Sequence, residues 1–295
     1  MQGKVPKISI GLPVYNGENF ISEALDSILA QTEGDFEIVI CDNYSDDRTE
    51  EICRRYADSD RRIRYYRNYR NLGAAPNFNK AFRLSKGKYF KWAAHDDLLA
   101  REYLSECAKI LDKHDSVVLC QSDVKFIDKE GTEVALQNCV LPELASEKAF
   151  VRFRNAIQLS HWCLDIFGLI RADTLRKSRL ISSYVGGDRI LLAELTLWGP
   201  FYRIPNLLFF SREHNERSIR SINVRERTKW FDSSKGGFSN GLHFRYLAQY
   251  STAILRVPIV VKDKIGCYAA MAYWSIKYRR QLLEDVKYSV EDLLK

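Results

Sequence analysis

Between Lys7 and Asp128, short β-rich runs alternate with stretches of helical period, and this alternation restricts the fold more than any other feature of the chain. Strands separated by helices are the pattern of βαβ units, which feed a mostly parallel sheet. Residues 8–14 (ISIGLPV) read as the first strand. Ile21, Leu25, Ile28 and Leu29 then recur at helical spacing, which predicts a helix from about Glu18 to Gln31 with one apolar face. Phe36 to Cys41 and Ile63 to Tyr66 are the next expected strands, and Ser45 and the aspartates after it offer caps for a helix through Tyr56 between them. Pro76 stands where the first turn of another helix would begin, and Gly87 reads as its stop. Tyr89 to Ala94 is a fourth strand ending at His95, Asp96 and Asp97, followed by a helix over about Arg101 to Lys113 and a strand over Ser116 to Ser122.

The second half is less regular. It contains an apolar segment at Ile166 to Ile170, a helix from about Asp188 to Trp198 and an extended stretch from Phe201 to Ser211. After about Asn223 the residues read as helical, with Tyr246, Leu247, Tyr250, Ile254 and Leu255 at helical spacing. The expected architecture is therefore α/β: a mostly parallel central sheet flanked by helices, with a helical C-terminal extension. Residues 1–222 form the expected main domain, divided into halves at 1–128 and 129–222, and 223–295 form the extension.

With 295 residues, 46% of them hydrophobic, the chain can bury a substantial core. Its net charge of +7 suits an acidic ligand, either a diphosphate, an anionic membrane surface or nucleic acid. Nucleic acid is disfavoured because no recognisable binding module accompanies the basic residues. Cys41, Cys53, Cys107, Cys120, Cys139, Cys163 and Cys267 are odd in number and lack a C-x-x-C spacing, which fits free thiols in a reducing cytoplasm better than disulfides or a zinc site. No signal peptide or membrane-spanning helix is expected.

Ligands of an open α/β sheet collect outside the carboxyl ends of its strands. Here those ends carry Pro13, Tyr15 and Asn16, then Asp42 and Asn43, then Asp96 and Asp97. An aromatic ring with carboxylates fits a nucleobase, a ribose and a metal-bound phosphate, since magnesium and manganese take oxygen ligands and often use one or two carboxylates plus substrate phosphates. Asp188 shares a helical face with Leu191, Leu195 and Trp198, so it points inward, where desolvation would raise its pKa and suit it to act as a base. The plainer alternative is a helix N-cap after Gly186 and Gly187. Asp165 and Asp173 are the other carboxylates considered for the base, and Trp162 beside His161 is read either as a sugar platform or as core.

The segments ISIGLPVYNGENFISEALDSILAQT, FEIVICDNYSDDRTEEI, RNLGAAPNFNKAF and GKYFKWAAHDDLL, in that order, resemble the catalytic domain of glycosyltransferase family 2. The resemblance covers about residues 7–215 and implies a GT-A type fold and inverting transfer from a nucleoside diphosphate sugar. Within it, Pro13 and Tyr15 match the turn that lies against the base, Asp42 the acid that contacts base or ribose, and Asn71 and Gly73 the N-x-G loop bordering the nucleotide. Asp96 matches the partner of the ribose or of a metal water, and Asp97 a ligand of Mn2+ or Mg2+. His214 matches a histidine that closes over the diphosphate and reaches the metal, with Arg212, Arg217 and Arg220 around it, and Asp188 matches the general base. The sequence departs from the family at Ala94 and Phe78, where an acid and an arginine are common.

The resemblance also implies the partners: a nucleoside diphosphate sugar, with UDP favoured by a small Tyr15 and Asp42 pocket, and a glycan or lipid-linked glycan acceptor, in cell-surface polysaccharide synthesis. A sugar-1-phosphate nucleotidyltransferase is the enzyme alternative, although the chain lacks that class's glycine-rich basic loop after the first strand. A catalytically silent carbohydrate-binding protein is the other. Lys277, Arg279 and Arg280 beside Tyr273, Trp274 and Ile276 suggest peripheral contact with the inner face of a membrane, against the plainer reading of a packed helix with a solvated basic edge.

Overall fold

The computed structural model describes residues 4–135, 144–214, 230–231 and 241–293. Cys139, Arg217, Arg220 and the junction expected at residue 222 lie outside the described residues. Eight strands, β1 (Ile8–Val14), β2 (Phe36–Asp42), β3 (Ile63–Arg67), β4 (Tyr89–Trp92), β5 (Leu98–Leu99), β6 (Leu119–Ile127), β7 (Leu169–Arg171) and β8 (Phe201–Arg212), form one sheet in the order β3-β2-β1-β4-β7-β6-β8-β5. β3, β2, β1 and β4 run parallel, as do β6 and β8, while β7 and β5 pair antiparallel with their neighbours. The helices are α1 (Ile21–Leu29), α2 (Thr49–Ser59), α3 (Ala74–Arg83), α4 (Tyr103–Lys113), α5 (Ala149–Gln158), α6 (Ala172–Lys177), α7 (Gly187–Trp198), α8 (Leu242–Arg256), α9 (Val261–Lys277) and α10 (Arg279–Leu293).

The expected α/β architecture and its parallel strands are present. All seven residues of β1 are buried, as a strand covered by helices on both faces requires. Helix α1 buries Ile21, Ala24, Leu25 and Ile28, a single stripe turned to the sheet. Register then sets the functional edge: Val14 pairs with Asp42, Asp42 with Arg67, and Gly11 with Trp92, so these strands end together.

Several boundaries differ from expectation for local reasons. Helix α1 starts at Ile21 instead of about Glu18, because the amides of Asn16, Gly17 and Glu18 are bonded to Ser45 Oγ, Thr49 Oγ1 and Asp47 Oδ2. Ser45 does not cap α2, which begins only at Thr49, and of the aspartates after it Asp47 accepts from the Thr49 amide at 3.0 Å. Pro76 is the third residue of α3, within the first turn whose amides have no intrahelical acceptor. Gly87 is not a helix stop, since α3 ends at Arg83; it lies against β1, where a Cβ would sit 2.6 Å from the Ser9 nitrogen. The apolar segment at 166–170 divides into a 3-10 turn (Leu164–Phe167) and the antiparallel β7.

Helices α8 and α9 share a core with α5 and α7, formed by residues including Phe153, Leu197, Tyr250, Ile254, Met271 and Trp274. Trp274, expected beside Tyr273 and Ile276 at a membrane, is only 3% exposed and packs among His243, Tyr250 and Tyr278. Among the described residues, no helix is long and apolar enough to cross a membrane. The six described cysteines are all buried and free, and burial pushes the thiols of Cys41, Cys53 and Cys267 up to about 12.

Candidate active site

A cleft of about 1030 Å³ opens where β1, β2 and β4 end. Pro13, Tyr15, Asn71, Asp96, Asp97, Asp188 and His214 all line it. Asp42 and Gly73 do not. The turn after β1 reverses with Asn16 in the left-handed region (φ 52°), which asparagine tolerates better than most residues. The Asn16 amide donates to Ser45 Oγ at 3.0 Å, and Asn16 Oδ1 accepts from the Asp46 amide. Tyr15 is thereby held at the cleft rim, 44% exposed.

Asp42 is fully enclosed. Its carboxylate accepts from the amide and hydroxyl of Ser45 and from the Tyr65 hydroxyl at 2.7 Å, and Arg67 lies 3.6 Å away. The direct contact to base or ribose expected of Asp42 is not available in this arrangement, because four donors already surround it. Its neighbour Asn43 takes the cleft position, donating to Asn71 Oδ1 at 2.9 Å and to the Gly73 carbonyl at 3.2 Å, and accepting from Asn68 and from the Leu72 amide. The N-x-G loop is therefore pinned to the end of β2 by an asparagine network.

At the end of β4 the chain delivers two carboxylates. Asp97 is buried, and its Oδ1 accepts from the Arg212 amide at 2.9 Å. Asp96 Oδ2 lies 2.9 Å from His214 Nε2, and the His214 ring packs on Phe20 at 4.9 Å. Arg212 does not surround His214 with charge as expected. It is wholly buried, its guanidinium donating to the carbonyls of Asp96, Asp128 and Lys129 and to Glu23, so it fastens β8 to the acidic turn. Asp96 and His214 in contact, with Asp97 lining the same cleft, are oxygen and nitrogen donors of the kinds that suit Mn2+, and the carboxylates suit Mg2+ as well, provided substrate phosphates complete a set that these side chains do not complete alone. Among the described residues, no three His, Cys, Asp or Glu side chains form a metal-holding group of their own.

The opposite wall comes from α7 and the segment before β7. Asp188 is the second residue of α7, whose N-cap is Gly186, so Asp188 is not itself the cap. Desolvation pushes its carboxyl above the usual 3.8, against the lowering influence of the Arg189 amide, the Arg189 charge and a hydrogen bond from the Cys163 thiol. Arg189 also lines the cleft and donates to the carbonyls of His161 and Leu159. His161 is buried and bonded to the Ala156 carbonyl; burial lowers its pKa to about 3, so it is neutral. Trp162 lines the cleft while its ring packs edge-on against Phe126 at 5.4 Å. Asp165, which bonds Arg203, and Asp173, which pairs with Arg176 at the surface, are not among the cleft residues.

His95 and Tyr246 are among the cleft residues that the sequence did not single out. His95, at the end of the fourth expected strand and assigned no role there, lines the cleft and packs where a Cβ on Gly17 would meet it at 2.8 Å. Tyr246 reaches in from α8, far along the chain, and only its helical spacing was visible in the sequence.

Residues 9–176 match the profile described as Glycosyl transferase family 2. An uncharacterized glycosyltransferase of Methanocaldococcus jannaschii is 28% identical over 287 residues, spanning 88% of this chain and 94% of that one. An uncharacterized glycosyltransferase of Rickettsia prowazekii is 32% identical over 209 residues, spanning 69% of this chain and 61% of that one. Among solved structures, S. aureus TarS 1–349 in complex with UDP-GlcNAc superposes with a TM-score of 0.68 at 18% identity, covering 92% of this chain and 73% of TarS. The mannosyltransferase PcManGT of Pyrobaculum calidifontis, in complex with GDP-Man and Mn2+, superposes at 0.53 with 17% identity, covering 96% and 84%. The fold is thus of the GT-A type, and with its family profile matched over more than half of its length, the chain belongs to glycosyltransferase family 2.

Proposed function

We propose that the protein transfers a sugar, with inversion, from a nucleoside diphosphate sugar to a hydroxyl of a glycan or lipid-linked acceptor. UDP, the nucleotide carried by the donor in the TarS complex, is the favoured nucleotide, and cell-surface polysaccharide synthesis at the cytoplasmic side of a membrane is the favoured setting. The observation that carries this reading is the placement of Asp188, whose carboxyl is pushed up by desolvation, in the same cleft as Asp96, Asp97 and His214. A base on one wall and an acidic, imidazole-bearing turn on the other suit a single displacement between them. Donor complexes of two fold neighbours, one with UDP-GlcNAc and one with GDP-Man and Mn2+, support a nucleotide-sugar donor.

In this mechanism Asp188 takes the proton of the acceptor hydroxyl as that oxygen bonds to the anomeric carbon. The bond from the anomeric carbon to the diphosphate oxygen breaks, and its electron pair leaves with the nucleoside diphosphate. Asp97, Asp96 and His214 would hold a divalent cation, which when bound neutralises charge on the leaving diphosphate. Tyr15 stacks on the base, and Asn71, fixed by Asn43, borders the nucleotide. Asp42 acts from behind, holding Ser45 and through it the Asn16 amide and the Tyr15 turn.

Thermal stabilisation by a panel of nucleotide sugars, with and without manganese, identifies the donor. Tyr15→Ala is expected to weaken UDP and the full donor alike. A loss confined to the sugar portion would remove Tyr15 from the base site.

A further inference from the structure

Helix α9 buries one face and leaves the other bare. Cys267, Ala270, Met271 and Trp274 point into the core shared with α5 and α8. On the opposite side Val261, Ile265 and Ile276 are 73%, 66% and 63% exposed, and Tyr268 and Tyr273 are exposed between them. At about 100° per residue these side chains fall within one stripe some 140° wide, with Ala269 and Ala272 filling the gaps. Every exposed residue of the helix is apolar, alanine included, or lysine; its one acid, Asp263, is partly buried. Lys277 lies beyond one edge of the stripe and Lys264 beyond the other, Lys262 sits just inside the first edge, and Arg279 and Arg280 follow at the C-terminal end. The helix runs about 25 Å along its axis.

We propose that this face of α9 docks on an anionic bilayer and that docking presents Asp188 to a lipid-linked acceptor. An apolar stripe bordered by lysine and arginine, without an exposed acid, is complementary to lipid chains below anionic headgroups. A second copy of the chain is a poorer occupant, since a two-fold contact would bring Lys262, Lys277, Arg279 and Arg280 against themselves. The C-terminal end of α9 also adjoins the cleft: Lys277 Nζ donates to the Gln158 carbonyl at 2.8 Å, and the next residues, Leu159 and His161, accept from Arg189 beside Asp188. The acceptor half of the proposal rests on the reading of Asp188 given above. The docking half does not.

The test is flotation of the full chain, without donor, with vesicles of phosphatidylcholine containing about one third phosphatidylglycerol, and with vesicles of phosphatidylcholine alone. Binding is expected only to the anionic vesicles and is expected to weaken at high salt, where surface charge is screened. Ile265→Glu with Ile276→Glu is expected to lower vesicle binding by about tenfold or more, as is Lys262→Glu with Arg280→Glu, both with an unchanged melting temperature. Absence of wild-type binding to anionic vesicles at low salt would overturn the docking proposal, as would equal binding by both variants. Self-association of the wild type that the Ile265→Glu, Ile276→Glu variant abolishes would assign the face to a second copy and overturn it too. Should the variants fail to fold, the salt and lipid dependence of the wild type decides alone. Vesicle binding together with full activity of Asp188→Asn would leave docking intact and remove only the acceptor half.

Discussion

The hydroxyl of Tyr246 donates to the carbonyl of Val185 at 2.9 Å, tying helix α8 to the turn that carries Asp188. Gly186, the next residue of that turn, has φ +80° and lies against the Tyr246 hydroxyl where a Cβ would collide with it, so glycine is required for both conformation and space. The C-terminal helices therefore help to build the wall of the cleft.

Tyr246→Phe is expected to lower turnover by about 2–10-fold, the equivalent of one ordinary hydrogen bond, while leaving the donor KM unchanged. Steady-state kinetics beside a melting curve provide the check. A lowered melting temperature with unaltered turnover would make the hydroxyl a structural group only.

Asp97→Asn keeps an oxygen for the Arg212 amide and removes the anionic one, so the fold is expected to survive. Manganese-dependent donor affinity should fall by at least the roughly 10–100-fold typical of disturbing an outer-shell partner. Calorimetry with and without manganese measures it; unchanged manganese-dependent affinity would remove Asp97 from the metal site.

The raised pKa of Asp188 makes a statement about stability. Between its ordinary 3.8 and the raised value, the native state holds a proton that the unfolded state has lost, so stability from this group falls as pH rises through that window. Above the window a desolvated carboxylate remains in the fold. Asp188→Asn stays neutral throughout and is expected to melt higher than wild type at neutral pH, with the gap closing as pH falls to about 4. Melting curves across that range test the sign, and a variant less stable at neutral pH would contradict it.

Much of this was legible in the sequence because β1 and β2 are largely apolar runs and the ends of β1, β2 and β4 carry the candidate groups. Parallel strands buried on both faces leave that mark, whereas the three-residue β7 and two-residue β5 are too short to show a period. Helical spacing placed Asp188 inward. The seclusion of Asp42 was not legible, since it depends on Tyr65 and Arg67 arriving from β3, nor was the burial of Arg212, whose partners are backbone carbonyls at 96, 128 and 129. Trp274 and Ile276 share a basic, aromatic stretch of sequence, yet the core takes one and leaves the other in solvent.

The turnover of Asp188→Asn, measured at saturating donor across a range of pH, bears most directly on the mechanism. Asparagine preserves the shape and the oxygen that accepts from the Arg189 amide but cannot take a proton from the acceptor. Donor affinity should stay near the original, because the base acts on the acceptor, while turnover should fall by on the order of 10²–10⁴. The acidic limb of the wild-type rate profile, set by protonation of Asp188, should vanish with it. A folded variant that binds donor and turns over at close to the wild-type rate would exclude Asp188 as the base.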